Sequence, residues 1–267
     1  MPDLREGELP AGVPGASHRL EMPVPVPPSR LVRVDLGALT HVGKVRENNE
    51  DAYLVCRAGR YLERLTSNLP ESLLSSRFDE AGYLMLVADG MGGMAGGEVA
   101  SHTALATTVQ MILSSPKWAL KLDDPATRVS EIREMWARAR VYLSAVHETI
   151  RRQAAANPKL AGMGTTLTGA YSVGADLFVL HVGDSRAYLF HEGRVQKITR
   201  DHTLAQSYAD LGIIQENDPA AHQLRNVLTQ AVGTGGGAPG RHARSAPCGR
   251  RPPAAVHRRA LEPHRRG

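Results

Sequence analysis

The sequence predicts an α+β domain built mainly from antiparallel strands. Three observations point there. Short β-rich runs follow one another late in the chain, joined by turns of hairpin length. Two long helical patterns form a crossover in the middle. The strands and helices do not alternate regularly, which disfavours a doubly wound parallel sheet.

The strands read as Ala52–Cys56, Tyr83–Ala88, Thr165–Val173, Asp176–Val182, Ser185–Phe190 and Val195–Thr199, each bounded by turn residues. Gly174-Ala175 and Glu192-Gly193 mark hairpin turns. A helix over Glu98–Leu113 would place Val99, Thr103, Ala106, Val109 and Leu113 on one face. A second over Pro125–Ala156 repeats apolar residues at Ile132, Trp136, Ala139, Leu143, Val146 and Ile150, with Asp124 as N-cap and proline at the first helical position. A shorter helix follows His202, with Leu204, Tyr208 and Leu211 inward.

The chain has 267 residues and divides into three regions. Residues 1–30 hold seven of the 17 prolines and read as an extended, disordered arm. Residues 31–234 carry nearly all the patterned hydrophobicity, enough for one domain with its own core. Residues 235–267 are a low-complexity basic tail, too poor in aliphatics to offset its ordering entropy. That tail has eight arginines and one glutamate, so of the net charge of +5 the remaining residues contribute −2. The high pI therefore belongs to the tail, and no nucleic-acid partner is expected. No apolar run is long enough to cross a bilayer, and the N-terminus has no secretory signal pattern. Two distant cysteines, Cys56 and Cys248, exclude a disulfide scaffold. A cytoplasmic monomer is expected.

Three constellations could carry chemistry. In GKVRENNEDAYLV, Arg46, Glu50 and Asp51 stand where a turn enters a strand. Adjacent strand residues face opposite ways, so Asp51 could ligate an ion directly with Glu50 behind it; the plainer reading is a polar turn. In YLMLVADGMGG, a strand ends in Asp89 and a glycine turn leads into a helix. A dinucleotide site is disfavoured, because Asp89 would oppose the pyrophosphate and no acid follows about 20 residues on. A metal site suits it better, with the Asp89 carboxylate and a backbone carbonyl such as that of Gly90 approaching one ion; a purely structural turn is the alternative. In Gly183-Asp184-Ser185-Arg186, an aspartate between apolar strands needs a partner, either Arg186 or a metal, or forms an Asx-type turn. His41, His102 and His181 show no ligand spacing and read as structural. Trp118, Trp136 and Met111 read as core packing.

Together, Arg46-x-x-x-Glu50-Asp51, Asp89-Gly90-Met91-Gly92-Gly93 with Gly97-Glu98, Gly164-Thr165-Thr166, Gly183-Asp184-Ser185-Arg186 and Thr199-x-Asp201-His202 resemble, in order and spacing, bacterial members of the protein phosphatase 2C family. Val227–Gly233 resembles that family's next element, and the resemblance covers roughly residues 32–234. It implies a four-layer α-β-β-α sandwich with two Mn2+ or Mg2+ ions at one end. It also implies a serine/threonine phosphatase in which a metal-activated water attacks phosphoserine or phosphothreonine, opposing a protein kinase. By the same resemblance Arg46 binds the phosphate, and Asp89 bridges the metals. Asp51 and Glu50 hold the metals directly or through water, the Gly90 carbonyl completes a site, and Asp184 belongs to a third, weaker one. Met91 stands where some members carry a histidine general acid.

Family members continue past the point matching Gly233 with further strands and two more aspartates. Residues 235–267 contain no aspartate. The expectation is a domain cut short by a frameshift, with little phosphatase activity. The alternative is a non-catalytic member that binds phosphoproteins.

Overall fold

The computed structural model describes residues 33–69, 77–92, 96–115, 120, 122, 124–215, 218, 221–235 and 243–247. The arm at 1–30 and Trp118 lie outside the described residues, as does the tail apart from Gly235 and residues 243–247.

The main sheet is antiparallel. Its strands are β1 (Asp51–Glu63), β2 (Arg77–Met91), β4 (Leu167–Val173), β5 (Asp176–Val182) and β8 (Ala243–Pro247), in that spatial order, with the two-residue β3 (Gly164–Thr165) pairing the end of β2. Helices α1 (Gly96–Leu113) and α2 (Pro125–Ala156) form the crossover. A second, two-stranded sheet follows as the hairpin β6 (Tyr188–His191) and β7 (Arg194–Lys197), then the short helices α3 (Leu204–Asp210) and α4 (Ala221–Leu224). The mixed fold with an antiparallel sheet is thus the expected one. Among the described residues, the sandwich's second sheet is that hairpin alone.

Strand alternation sorts the core. Ala52, Leu54, Leu84, Leu86, Ala88, Leu167 and Val182 point to the helix side, where they meet Ala100, Ala104 and Leu105 of α1 and Leu143, Val146 and Ile150 of α2. On the same side Phe178 and Val173 pack under Ile132, Met135 and Trp136, with Trp136 edge-on to Phe178 at 6.1 Å between centroids. Met85, Ala170, Leu177 and Val179 point to the other face, where Ile198 joins them.

Both hairpin turns form as expected. Gly174 has φ 54 at the first position of its turn, and Glu192 and Gly193 both take positive φ, as a type I′ turn requires. Asp124 caps α2, its carboxylate accepting from the Ala126 N–H at 2.9 Å.

Other elements differ from the sequence reading. The strand expected over Ala52–Cys56 runs on to Glu63, and its partner starts at Arg77. The added length is stitched by polar pairs, Arg57–Asp79 at 2.7 Å and Arg60–Glu80 at 2.6 Å, which leave no hydrophobic signal. On α1 the buried face is Gly97, Ala100, Ser101, Ala104 and Leu105, while Leu113 is exposed. Small residues let that helix sit close on β2, so the larger aliphatics do not mark its inner face. Leu211 is also exposed, just past the end of α3, with Ala205 buried instead. The strand expected from Ser185 begins only at Tyr188, because Ser185 and Arg186 are committed to other partners described below. Within the tail, Ala243–Pro247 lies antiparallel along β5, in register from Asp176↔Pro247 to Leu180↔Ala243. The sequence reading expects no regular structure there; an open sheet edge offers backbone hydrogen bonds that depend little on side chains. Among the described residues, no helix is long and apolar enough to cross a membrane.

Candidate functional site

The carboxylates singled out in the sequence collect at one end of the main sheet. Asp51 opens β1, Asp89 lies near the end of β2, and the register makes them direct partners. Both are half-buried. Antiparallel partners carry their Cβ atoms about 4.5–5.5 Å apart, so two like charges stand side by side at a cost unless something neutralises them.

Local bonds fix this pair. The Asn49 side chain accepts from the Asp51 N–H at 3.1 Å and donates to Thr40 Oγ1 at 2.7 Å, which sets the chain's entry into β1. On the other strand, the Asp89 N–H donates to Thr166 Oγ1 at 3.0 Å, and the Asp89 carbonyl accepts from the Thr166 N–H and the Thr165 hydroxyl, both at 2.9 Å. Thr165 also exchanges backbone bonds with Val232 at 2.9 and 2.8 Å, tying in the Val227–Gly233 element. His147 of α2 secures the end of that element, accepting from the Gly233 N–H at 3.0 Å.

Gly90 also permits a close backbone approach. A Cβ there would fall 2.0 Å from the Gly97 carbonyl oxygen, and one on Gly97 would fall 2.6 Å from Glu50 Oε1. The two glycines let the strand end meet the first turn of α1, with the Glu50 carboxylate laid over Gly97. Glu50 also accepts the Gly90 N–H through its backbone carbonyl at 3.2 Å. Its carboxylate thus lies at the start of α1, where the helix dipole favours negative charge.

Asp184 is 1% exposed, in the turn after β5. The turn joins the same sheet end through Ser185, whose hydroxyl is 2.7 Å from Thr166 Oγ1. Gly183 and His202 lock it from behind. The Gly183 N–H donates to His202 Nδ1 at 3.1 Å, and the His202 N–H donates to the Gly183 carbonyl at 2.8 Å. Arg186 turns away and grips Asp201, with Nε and Nη2 at 2.9 and 2.5 Å from Oδ2. Of the partners open to Asp184 in the sequence reading, Arg186 is therefore spoken for. His181 and His202 stack at 4.9 Å. Burial, then the neighbouring His202, push the His181 pKa down to about 4. His181 Nδ1 bonds Thr168 Oγ1 at 2.8 Å, which fits a structural histidine; His41 and His102 are exposed.

Arg46 lies exposed in the loop before β1 and makes no hydrogen bond or ion pair among the described residues. Thr165, Thr166, Ser185, Asn49 and His202 hold the site together, and the sequence reading assigned them no role. Their signal was the motifs themselves, in which a hydroxyl or imidazole beside each acid is a ready backbone anchor.

The donor set fits a hard divalent cation in kind, since it offers only oxygens and sets two carboxylates opposite each other. It is incomplete in number. Among the described residues, no three of His, Cys, Asp and Glu gather closely enough to hold a metal ion.

Comparison with known proteins identifies the family. A family model described as protein phosphatase 2C matches residues 71–231. The serine/threonine protein phosphatase PstP of Mycobacterium tuberculosis is 34% identical over 149 residues, 56% of this chain and 26% of that protein. A serine/threonine phosphatase, stp, of Listeria welshimeri is 33% identical over 153 residues, 57% of this chain and 56% of that protein. The chain thus spans about a quarter of the first and just over half of the second. Among solved structures, the S. agalactiae serine/threonine phosphatase shares the fold, with TM-score 0.56 at 24% identity, covering 78% of this chain and 71% of that one.

Proposed function

The chain belongs to the protein phosphatase 2C family, and on that premise we propose that it is a metal-dependent serine/threonine phosphatase domain acting on phosphorylated proteins in the cytoplasm, against a protein kinase. The observation that carries the reading is the direct opposition of Asp51 and Asp89 at the sheet end. Two paired carboxylates are costly in a structural role and useful around a cation.

Asp89 and Asp51 would hold an Mn2+ or Mg2+ ion, with the Gly90 carbonyl and Glu50 as further ligands, directly or through water, and Asp184 would serve a third, weaker site. When bound, such ions supply charge neutralisation and a water acidic enough to attack a phosphoester at neutral pH. The chain's own residues do the rest. Thr165 and Thr166 hold Asp89's backbone from both sides, so its carboxylate stays aimed. Arg46 presents a planar guanidinium suited to two phosphate oxygens, from the exposed loop before β1. Met91 can donate no proton, so it is assigned no general-acid role.

A second reading has its own support. No three acidic or imidazole groups gather among the described residues, while Arg46 stands unengaged. That suits a module that binds phosphoproteins without cleaving them. One experiment separates the two: a phosphothreonine peptide is incubated with the chain and Mn2+, and both release of phosphate and peptide binding are followed. Slow, Mn2+-dependent hydrolysis lost in Asp89→Asn supports the phosphatase. Binding that needs Arg46 and proceeds without hydrolysis supports the module.

A further inference from the structure

A polar pocket of about 220 Å³ opens between the end of the β6–β7 hairpin and the short helices α3 and α4. That is many times the roughly 10–15 Å³ that one water needs. Arg186, Lys197, Asp201, Thr203, Gln206 and Arg225 line it, and none of Arg46, Glu50, Asp51, Asp89 or Asp184 does. It adjoins the Asp184 turn, since Arg186 leads out of that turn and Asp201 precedes His202, which locks it.

The charges around this pocket do not balance. Among its described lining residues, three cations stand against one carboxylate. Asp201 is already gripped by the Arg186 fork, with Nε and Nη2 at 2.9 and 2.5 Å from Oδ2. Lys197 is surplus to that pair. Its Nζ stands 3.6 Å from Asp201 Oδ1, beyond hydrogen-bond reach, and it makes no hydrogen bond among the described residues. Its side chain is 34% exposed, so a cation partly withdrawn from water keeps three donors without a protein acceptor among those residues. Thr203 adds a neutral donor. It is 3% exposed, and its Oγ1 accepts the Gln206 N–H at 3.2 Å, which leaves the hydroxyl proton to give. Arg225, just past α4, brings the third cation. Ammonium and guanidinium groups are both phosphate partners, and a monovalent anion would offset only half of the excess charge.

The geometry points to a binding site for a phosphate dianion, free or carried on a phosphorylated side chain, held by Lys197 and Arg225 with the Thr203 hydroxyl. This site is separate from the Asp51–Asp89 pair and independent of the phosphatase reading.

The test is calorimetric titration of the full chain in metal-free buffer with sodium phosphate, and with sodium acetate at the same ionic strength. Phosphate should bind and acetate should bind more weakly. Lys197→Gln, on an exposed strand, should weaken phosphate by about tenfold, with an unchanged melting temperature reporting intact folding. Arg46→Gln should leave phosphate affinity unchanged, because Arg46 does not line the pocket. A phosphothreonine peptide, titrated into the Arg46→Gln chain, separates the two sources: tighter binding than phosphate marks a phosphorylated side chain as occupant, and no tighter binding marks the free ion. Failure of the unmodified chain to bind phosphate overturns the assignment. So does equal binding of phosphate and acetate, phosphate affinity unaltered by Lys197→Gln, or its loss in Arg46→Gln.

Discussion

Asp51 and Asp89 are direct partners across the β1–β2 ladder, two carboxylates held opposite each other by the register of 13 consecutive residue pairs. Neither strand can slip to separate them without turning its apolar face outward. The register therefore keeps the two carboxylates opposed. In metal-free buffer, Asp51→Asn should raise stability by about 0.5–1 kcal/mol, read from urea denaturation. Added Mn2+ should stabilise the unmodified chain and leave the variant unmoved. A variant that is less stable without metal would mean that the aspartate is bound up structurally.

The Gly90–Gly97 contact separates two effects of added methyls. In Gly90→Ala the new Cβ meets the Gly97 carbonyl at 2.0 Å, backbone against backbone, with no rotamer to relieve it. A loss of about 3 kcal/mol is expected. Gly97→Ala meets the Glu50 carboxylate at 2.6 Å, which can swing aside, and the Gly90 carbonyl carbon at 2.9 Å, a milder backbone contact than that of Gly90→Ala, and it gains helix propensity worth up to about 1 kcal/mol. It should cost less stability than Gly90→Ala and weaken Mn2+ binding if Glu50 serves the ion. Equal destabilisation by both would contradict the geometry.

His181 sets an acid limit on stability. Its pKa in the fold is about 4, below the ordinary histidine value of 6.5, so the unfolded chain takes up the proton first. The stabilisation is complete above pH 6.5 and is lost as pH falls toward 4. Across that window the loss is about 3 kcal/mol. Denaturation midpoints between pH 7 and pH 4.5 should fall, and His181→Gln should flatten the slope. An identical slope in the variant would place the acid sensitivity elsewhere.

The Arg186–Asp201 pair depends on a fork. Asp201 is 8% exposed, and Arg186 reaches it through two nitrogens. Arg186→Lys keeps the charge and loses the planar geometry, so about 1–3 kcal/mol should go. Thermal unfolding reads this directly, and a change under 0.5 kcal/mol would show that the second nitrogen contributes nothing.

Much of this was legible in the chain. α2 and β5 carry their periods openly, and each runs over the residues expected. The four acidic positions could be found because acids at strand ends are costly enough to stand out. What stayed hidden was carried by small or polar residues. The inner face of α1 is glycine, alanine and serine, which hydropathy ranks low. The outer half of the β1–β2 hairpin is held by Arg57–Asp79 and Arg60–Glu80, pairs made across about 20 residues of sequence. Gly90 and Gly97 could each be read as turn residues, and only the fold shows that they face each other. Arg46 was legible as a turn residue before a strand, and only its phosphate-binding role came from resemblance.

The most direct measurement is Mn2+ binding by electron paramagnetic resonance, comparing the unmodified chain with Asp51→Asn and Asp89→Asn. If the cross-strand pair is a cation site, free Mn2+ signal should fall on adding the unmodified protein, and each substitution should weaken binding by about tenfold or more. Urea midpoints would confirm that the variants fold. Mn2+ bound equally well by all three chains, or by none, would contradict the account.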